Sequence, residues 1–217
     1  MATTILGFGW LMLASSSAPA ATGQISGLTG EFSSGSLSGW KERSFAGNSK
    51  YELIEEQGTQ VLQGSTNGKA SILYTEQKVD LKTTPLIEWS WKVDRTYEGI
   101  DQRSRQGDDF PARLYVVAKT GFLPWDTLAI NYVWSTDAPL DDSWANPFTD
   151  KAHMVVVQTG NQRVGSWVTQ QRNIAEDFKT YFGADIKQLS GYAVMIDGDN
   201  ANKEGMAWFG KIQFSAN

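Results

Sequence analysis

From Leu86 to Val93 the chain reads LIEWSWKV, with Ile87, Trp89, Trp91 and Val93 on one parity and Glu88, Ser90 and Lys92 on the other. Alternation of this kind predicts a strand with one buried face. The same signal recurs in YELIEE (51–56), TQVLQGS (59–65), KASILYT (69–75), ARLYVVAK (112–119) and TLAINYVW (127–134). It returns in AHMVVVQ (152–158), GSWVTQQ (165–171), GYAVMID (191–197) and GMAWFGKIQF (205–214). Gln57-Gly58 and Asn67-Gly68 between successive runs mark hairpins. One segment breaks the period: in NIAEDFKTYFG, Ile174, Phe178 and Tyr181 recur at helical spacing. Asn173 fits its N-cap, Glu176 the capping-box position and Gly183 the C′ position. About ten strands and one helix predict an all-β fold, a two-sheet antiparallel β-sandwich (jelly-roll-like) with one short amphipathic helix.

Length and composition narrow the setting. The first twenty residues contain a short apolar run, ILGFGWLMLA, followed by SAPA, which reads as a secretory signal cleaved near Ala20. The remainder, 21–217, then forms a single sandwich domain, exported to the periplasm or beyond. Nothing in the sequence is long and apolar enough to predict stable membrane insertion. The absence of cysteine excludes disulfides, thiol nucleophiles and Cys-ligated zinc, and points to a bacterial envelope. A net charge of −5 without a basic run excludes nucleic acid as an expected partner.

Three connections are longer than a turn needs: Asp94–Pro111, Thr120–Asp126 and Ser135–Lys151. Long loops in a compact domain are where binding residues concentrate. The first ends in GDDFPARLYVV, which sets Asp108 and Asp109 at the mouth of a strand that carries Arg113. An unpaired charge inside a strand is costly, so Arg113 calls for a carboxylate from a neighbouring strand or for a ligand. Leu114 and Val116 take the core face, which leaves Arg113 and Tyr115 facing water or a groove. Asp109 shares Arg113's parity but lies about 13 Å away along an extended chain, too far to pair directly. IDGDNANKEG (196–205) crowds oxygen ligands into a few residues. That suits a hard cation such as calcium at Asp197 and Asp199, and equally a plain β-turn. The single histidine, His153, sits in an apolar strand and reads as a neutral structural residue.

Trp89, Trp91 and Trp208 follow core periodicity, whereas Trp125, Trp134 and Trp144 lie in or beside loops, where an indole can stack on a sugar. With Arg113, Asn131, Arg172 and Asp197 they would supply stacking and hydrogen bonding for a saccharide. The expected function is therefore non-catalytic, lectin-like binding of a saccharide or similar small polar ligand. One rival is a polysaccharide lyase or hydrolase. A lyase would use Tyr115 or Tyr132 as base beside Asn131 and Arg113, with help from His153. A hydrolase needs two carboxyl groups about 5–9 Å apart, so Asp108 or Asp109 would require Glu88, Asp197 or Asp199. A second rival is an envelope protein-interaction module docking through Trp144 and Phe148.

YELIEEQGTQVLQGS, IEWSWKV, GDDFPARLYVV, INYVW, NPFTD, RNIAEDFKTYFG, AVMIDGDN and AWFGKIQF occur in that order. Over roughly Glu31 to Phe214 this ordered set resembles the exported bacterial family known as domain of unknown function 3047, whose name carries no activity. EFSSGSLSGW near the start and WFGKIQF at the end resemble the first and last strands of galactose-binding-like jelly rolls. If the polar positions shared within the family form its site, the resemblance maps it onto Asp108, Asp109, Arg113, Asn131, Trp134, Arg172, Asp177, Asp197 and Asn200.

Overall fold

A computed structural model describes residues 29–30, 32–121 and 126–216. The leader and Trp125 therefore lie outside the described residues. The strands are β1 (Thr29–Gly30), β2 (Trp40–Ala46), β3 (Lys50–Glu56), β4 (Thr59–Asn67), β5 (Ala70–Thr75), β6 (Val79–Asp80) and β7 (Leu86–Val93). They continue with β8 (Arg113–Lys119), β9 (Thr127–Ser135), β10 (Ser143–Ala145), β11 (Ala152–Thr159) and β12 (Val168–Asn173). Helix α1 (Ile174–Phe182) precedes β13 (Gln188–Leu189), β14 (Gly191–Asp197) and β15 (Glu204–Ser215).

One sheet runs β12-β7-β15-β4-β3, with β1 added beside β15, and the other runs β10-β11-β9-β8-β14-β5-β2. The short pair β13-β6 stands apart. Over the described residues the protein is an all-β sandwich with one α-helix. The pairing is antiparallel throughout except between β9 and β11, which run parallel. Parallel neighbours need a crossover of a dozen or more residues, and the long connection between Ser135 and Ala152 supplies it.

The alternation read from the sequence decides which faces meet. Ile87, Trp89, Trp91 and Val93 from one sheet pack against Leu114, Val116, Ile130, Tyr132 and Trp134 from the other. Aromatic rings dominate the seam: Trp89 stacks on Tyr132 at 5.2 Å and meets Trp91 edge-on at 5.4 Å. Gln57 and Gly58 both adopt positive φ, as the hairpin between β3 and β4 requires. Asn173 caps α1 by accepting from Glu176 N, and Gly183 closes the helix in the left-handed conformation. Ile174 and Phe178 then bind the helix to the core.

Trp208 departs from the expectation. Its neighbours Ala207 and Phe209 are the core residues, so Trp208 points away from the sandwich, onto the outer face of its sheet.

Candidate site between the loops

A second, smaller apolar cluster lies on the outer face of the seven-stranded sheet. Phe110, Val133, Met154 and Val156 form it, and Ala138 and Trp144 close over it. The two long connections therefore fold back across this face, and Arg113, whose cross-strand partner is Val133, lies beneath them.

Arg113 does not face a groove: it is 2% exposed. Its Nε donates to Asp197 Oδ1 at 2.8 Å, and one terminal nitrogen donates to both Asp197 Oδ2 and the Asp108 carbonyl. The other terminal nitrogen reaches Asp108 Oδ1 at 3.4 Å, and Phe110 lies 4.5 Å from the guanidinium carbon. Asp197 comes from β14, the neighbouring strand, as a buried strand arginine demands. Asp108 joins because the chain turns back before Pro111, which periodicity alone does not reveal.

Asp109 does a different task. Its Oδ1 accepts from Asn200 N and Nδ2, its Oδ2 accepts from Ala201 N at 2.7 Å, and its carbonyl accepts from Gln102 Nε2. It thus ties the β7–β8 loop to the β14–β15 loop. Gln102, itself buried, extends the tie by accepting from Ser135 Oγ and Thr136 N. Three buried carboxylates, Asp108, Asp109 and Asp197, thus gather near one guanidinium, with the half-buried Asp199 beside them. Burial pushes the Asp197 carboxyl up to about 7 against the pull of Arg113. Burial likewise raises Asp108, with Arg113 opposing, and raises Asp199 with Asp109's charge assisting.

Oxygens of Asp109, Asp197 and Asp199 lie within 4.8 Å of one another, close enough to share one cation. Asp109 was not part of the pair expected from the sequence. The fit is partial. Arg113 already engages both Asp197 oxygens, and backbone and amide donors occupy both Asp109 oxygens, so Asp199 keeps the freest carboxylate.

Arg172 belongs elsewhere. Its Nε and a terminal nitrogen donate to the two Asp177 oxygens at 2.9 and 2.7 Å, and Tyr132 OH donates to Asp177 Oδ2 at 2.7 Å. Tyr132 points into the sandwich seam whereas Arg113 lies on the opposite face of the same sheet, so the two arginines cannot clasp one ligand. Trp134 is fully buried in the seam, donating to Gly160 O, and offers no face for stacking. Asn131 is 1% exposed, between Tyr115 and Met154 in register, and its Oδ1 has no hydrogen-bond partner among the described residues. His153 stacks on Tyr181 at 4.6 Å, and burial lowers its pKa. Burial also raises the Tyr115 and Tyr132 hydroxyls above the ordinary phenol range, which deprives a tyrosine base of its anion near neutrality.

What opens to solvent is a cavity of about 370 Å³ beside this network, lined by Ile100, Asp101, Gln102, Arg103, Asp137, Ala138 and Trp144. Of these, sequence reasoning singled out only Trp144 and the two loops. Trp144 stacks on Phe110 at 6.4 Å on one side, and Arg103 lies 4.6 Å above its ring on the other. Arg103 also pairs with Asp142.

The family Protein of unknown function (DUF3047) matches residues 38–213. The chain belongs to that family. No curated protein sequence matches it. Solved structures with a similar chain path include carbohydrate-binding modules of the β-sandwich superfamily, at 14% identity and a TM-score of 0.42. That match covers 85% of this chain and 60% of the other, so the chain spans less than two thirds of its length. A mannan-recognising carbohydrate-binding module, TmCBM27, is similar at 12% identity and a TM-score of 0.38, covering 88% and 96% of the two chains. Endoglucanase 3 of Trichoderma harzianum, from family GH12, is similar at 8% identity and a TM-score of 0.40, covering 89% and 99%. No helix among the described residues is long and apolar enough to cross a membrane.

Proposed function

We propose that this DUF3047 protein is an exported saccharide-binding sandwich that takes its ligand between the β7–β8 and β9–β11 loops. One observation carries the reading: the cavity of about 370 Å³ combines Trp144 with Asp101, Gln102, Arg103 and Asp137. Its size suits a small ligand, and an indole beside a few convergent polar groups suits a hydroxyl-rich one. Carboxylates and a guanidinium hydrogen-bond vicinal hydroxyls well, because each presents two parallel acceptors or donors.

Roles first given to Arg113 and Arg172 pass to Arg103, whose half-exposed side chain can turn from Asp142 and Trp144 to a ligand. The cation–π contact that covers Trp144 is worth about 0.5–1 kcal/mol at an exposed site, so a sugar ring can displace it. Behind the cavity, Arg113, Asp197, Asp109 and Asn200 hold the loops in place rather than touching ligand. The apolar leader at 1–20 supports export.

The test is affinity electrophoresis of the mature chain through gels holding single polysaccharides, repeated with Trp144→Ala and Arg103→Ala. Retention that Trp144→Ala abolishes, without new reducing or unsaturated ends, is the expected result. Retention indifferent to both variants would move the ligand elsewhere, and new chain ends would make the protein an enzyme.

A further inference from the structure

The opposite side of the molecule carries a second arrangement that the loop cavity does not involve. In the six-stranded sheet, Glu52 pairs with Gln63, Gln63 with Trp208, and Trp208 with Lys92, each from an adjacent strand. Trp167, just before β12, continues this row. Lys92 Nζ lies 4.3 Å from the Trp208 ring centre and 5.3 Å from that of Trp167. All of these side chains point away from the core, since Leu53, Leu62, Trp91 and Phe209 beside them point into it.

The neighbouring row is kept low. A Cβ at Gly210 would overlap Ser90 Oγ and stand 3.4 Å from Trp167 Cζ3, so only glycine leaves the space between β15 and β7 flat. Val61 is buried yet belongs to neither core cluster, so the side chains around it on this outer face already cover it. Glu56 Oε1 accepts from Lys92, while Glu56 Oε2 is buried and has no partner among the described residues. Two half-buried indoles and a level backbone at Gly210 thus share one sheet face.

We infer that this face is a second saccharide platform, one that takes a neutral, extended glycan lying across the strands from Trp208 to Trp167. Those tryptophans stand on strands two apart, about 10 Å at ordinary strand spacing, which is the length of about two sugar rings. Each indole then stacks on alternate rings, and Gln63 and Ser90 meet hydroxyls between them. Charge selects the class of ligand. Glu52 and Glu88 are exposed on this face, and Lys92 is already paired with Glu56, so an anionic glycan meets repulsion.

The experiment is affinity electrophoresis in galactomannan, hydroxyethyl cellulose and polygalacturonate, with Trp208→Ala, Trp167→Ala and Gln63→Arg compared with the parent and with Trp144→Ala. Retention by a neutral polymer that falls at least tenfold in each platform variant is expected. Gln63→Arg blocks the face without touching the core, so the test survives if a tryptophan variant fails to fold. Retention that Trp144→Ala alone abolishes would overturn this inference and leave the cavity reading standing. Retention of polygalacturonate only, or of none of the three, would overturn it as well.

Discussion

Arg113 Nε donates to Asp197 Oδ1 at 2.8 Å, and both side chains are shut away from solvent. The pair joins β8 to β14 on the face that the long loops cover. Burying such a pair gains little over an apolar one, but removing one partner leaves an uncompensated buried charge, at about 3–5 kcal/mol. Arg113→Met should therefore lower the unfolding free energy by about that amount at pH 8, read from urea titration. Arg113→Lys should recover little of it, because one ammonium cannot serve Asp197 and the Asp108 carbonyl in the planar geometry that the guanidinium provides. A loss below about 1 kcal/mol would show that the pair is solvated in solution.

Mild acid should stabilise this protein. Burial raises Asp197 to about 7, whereas an aspartate in an unfolded chain titrates near about 3.9. Between those values the folded state keeps a proton that the unfolded state releases. The stability it contributes is complete below the unfolded pKa and is lost as pH climbs through the folded one. Asp108 and Asp199 are raised too and add in the same direction. Thermal melts at pH 5, 6 and 7.5 should give a falling midpoint, and Asp197→Asn should flatten much of the trend. A midpoint that rises over this range in the parent protein would contradict the assignment.

How much of this was written in the pattern of residues differs between core and site. LIEWSWKV and ARLYVVAK face the core as their alternation says, because burial of one face is a local demand. The capped helix was legible for the same reason: Asn173, Glu176 and Gly183 act within a few residues of one another. Strand β2 (WKERSFA) was not, because almost all of it is exposed at a sheet edge and alternation has nothing to mark. Trp208 was misread because GMAWFGKIQF is apolar on both parities, and only its neighbours' packing tells which one faces in. The site depends on how separate segments meet. Asp108 and Asp109 are adjacent in sequence, yet one serves Arg113 and the other Asn200 and Ala201, a division made by the fold of a loop. Trp134 looked like a loop-side indole because β9 ends just after it, but it faces the seam, where Trp91 of the other sheet packs against it.

Tyr132 links the core to the helix through Asp177, which also holds Arg172. Tyr132→Phe keeps the ring and its stacking on Trp89 but withdraws one donor from a carboxylate that is nearly buried. A buried acceptor that loses a partner costs about 1–3 kcal/mol. The expected result is a loss in that range by chemical denaturation, with faster amide exchange along α1 and unchanged exchange in β4 and β15. Uniform acceleration across all strands would mean that the hydroxyl supports the whole core rather than the helix.

Gly107 offers a way to move the cavity without substituting any residue that lines it. A Cβ added there would overlap the Asp101 carbonyl, a backbone atom that a side-chain rotation cannot clear. Gly107 also accepts from Asp109 N at 2.7 Å and donates to Ser104 O, so a displaced Gly107 drags on both ends of the loop segment that carries Gln102 and Arg103. Gly107→Ala should cost about 1–3 kcal/mol, the usual range for forcing one extra carbon into a packed site. It should also abolish any retention that depends on Trp144 while leaving retention through Trp208 intact. Gly99→Ala makes the control: its φ of 74° adds backbone strain in the same loop, but nothing lies within 4 Å of the new carbon. If the two variants lose retention equally, general loosening of the loop is responsible, and the close approach of Gly107 to Asp101 has no special part in shaping the cavity.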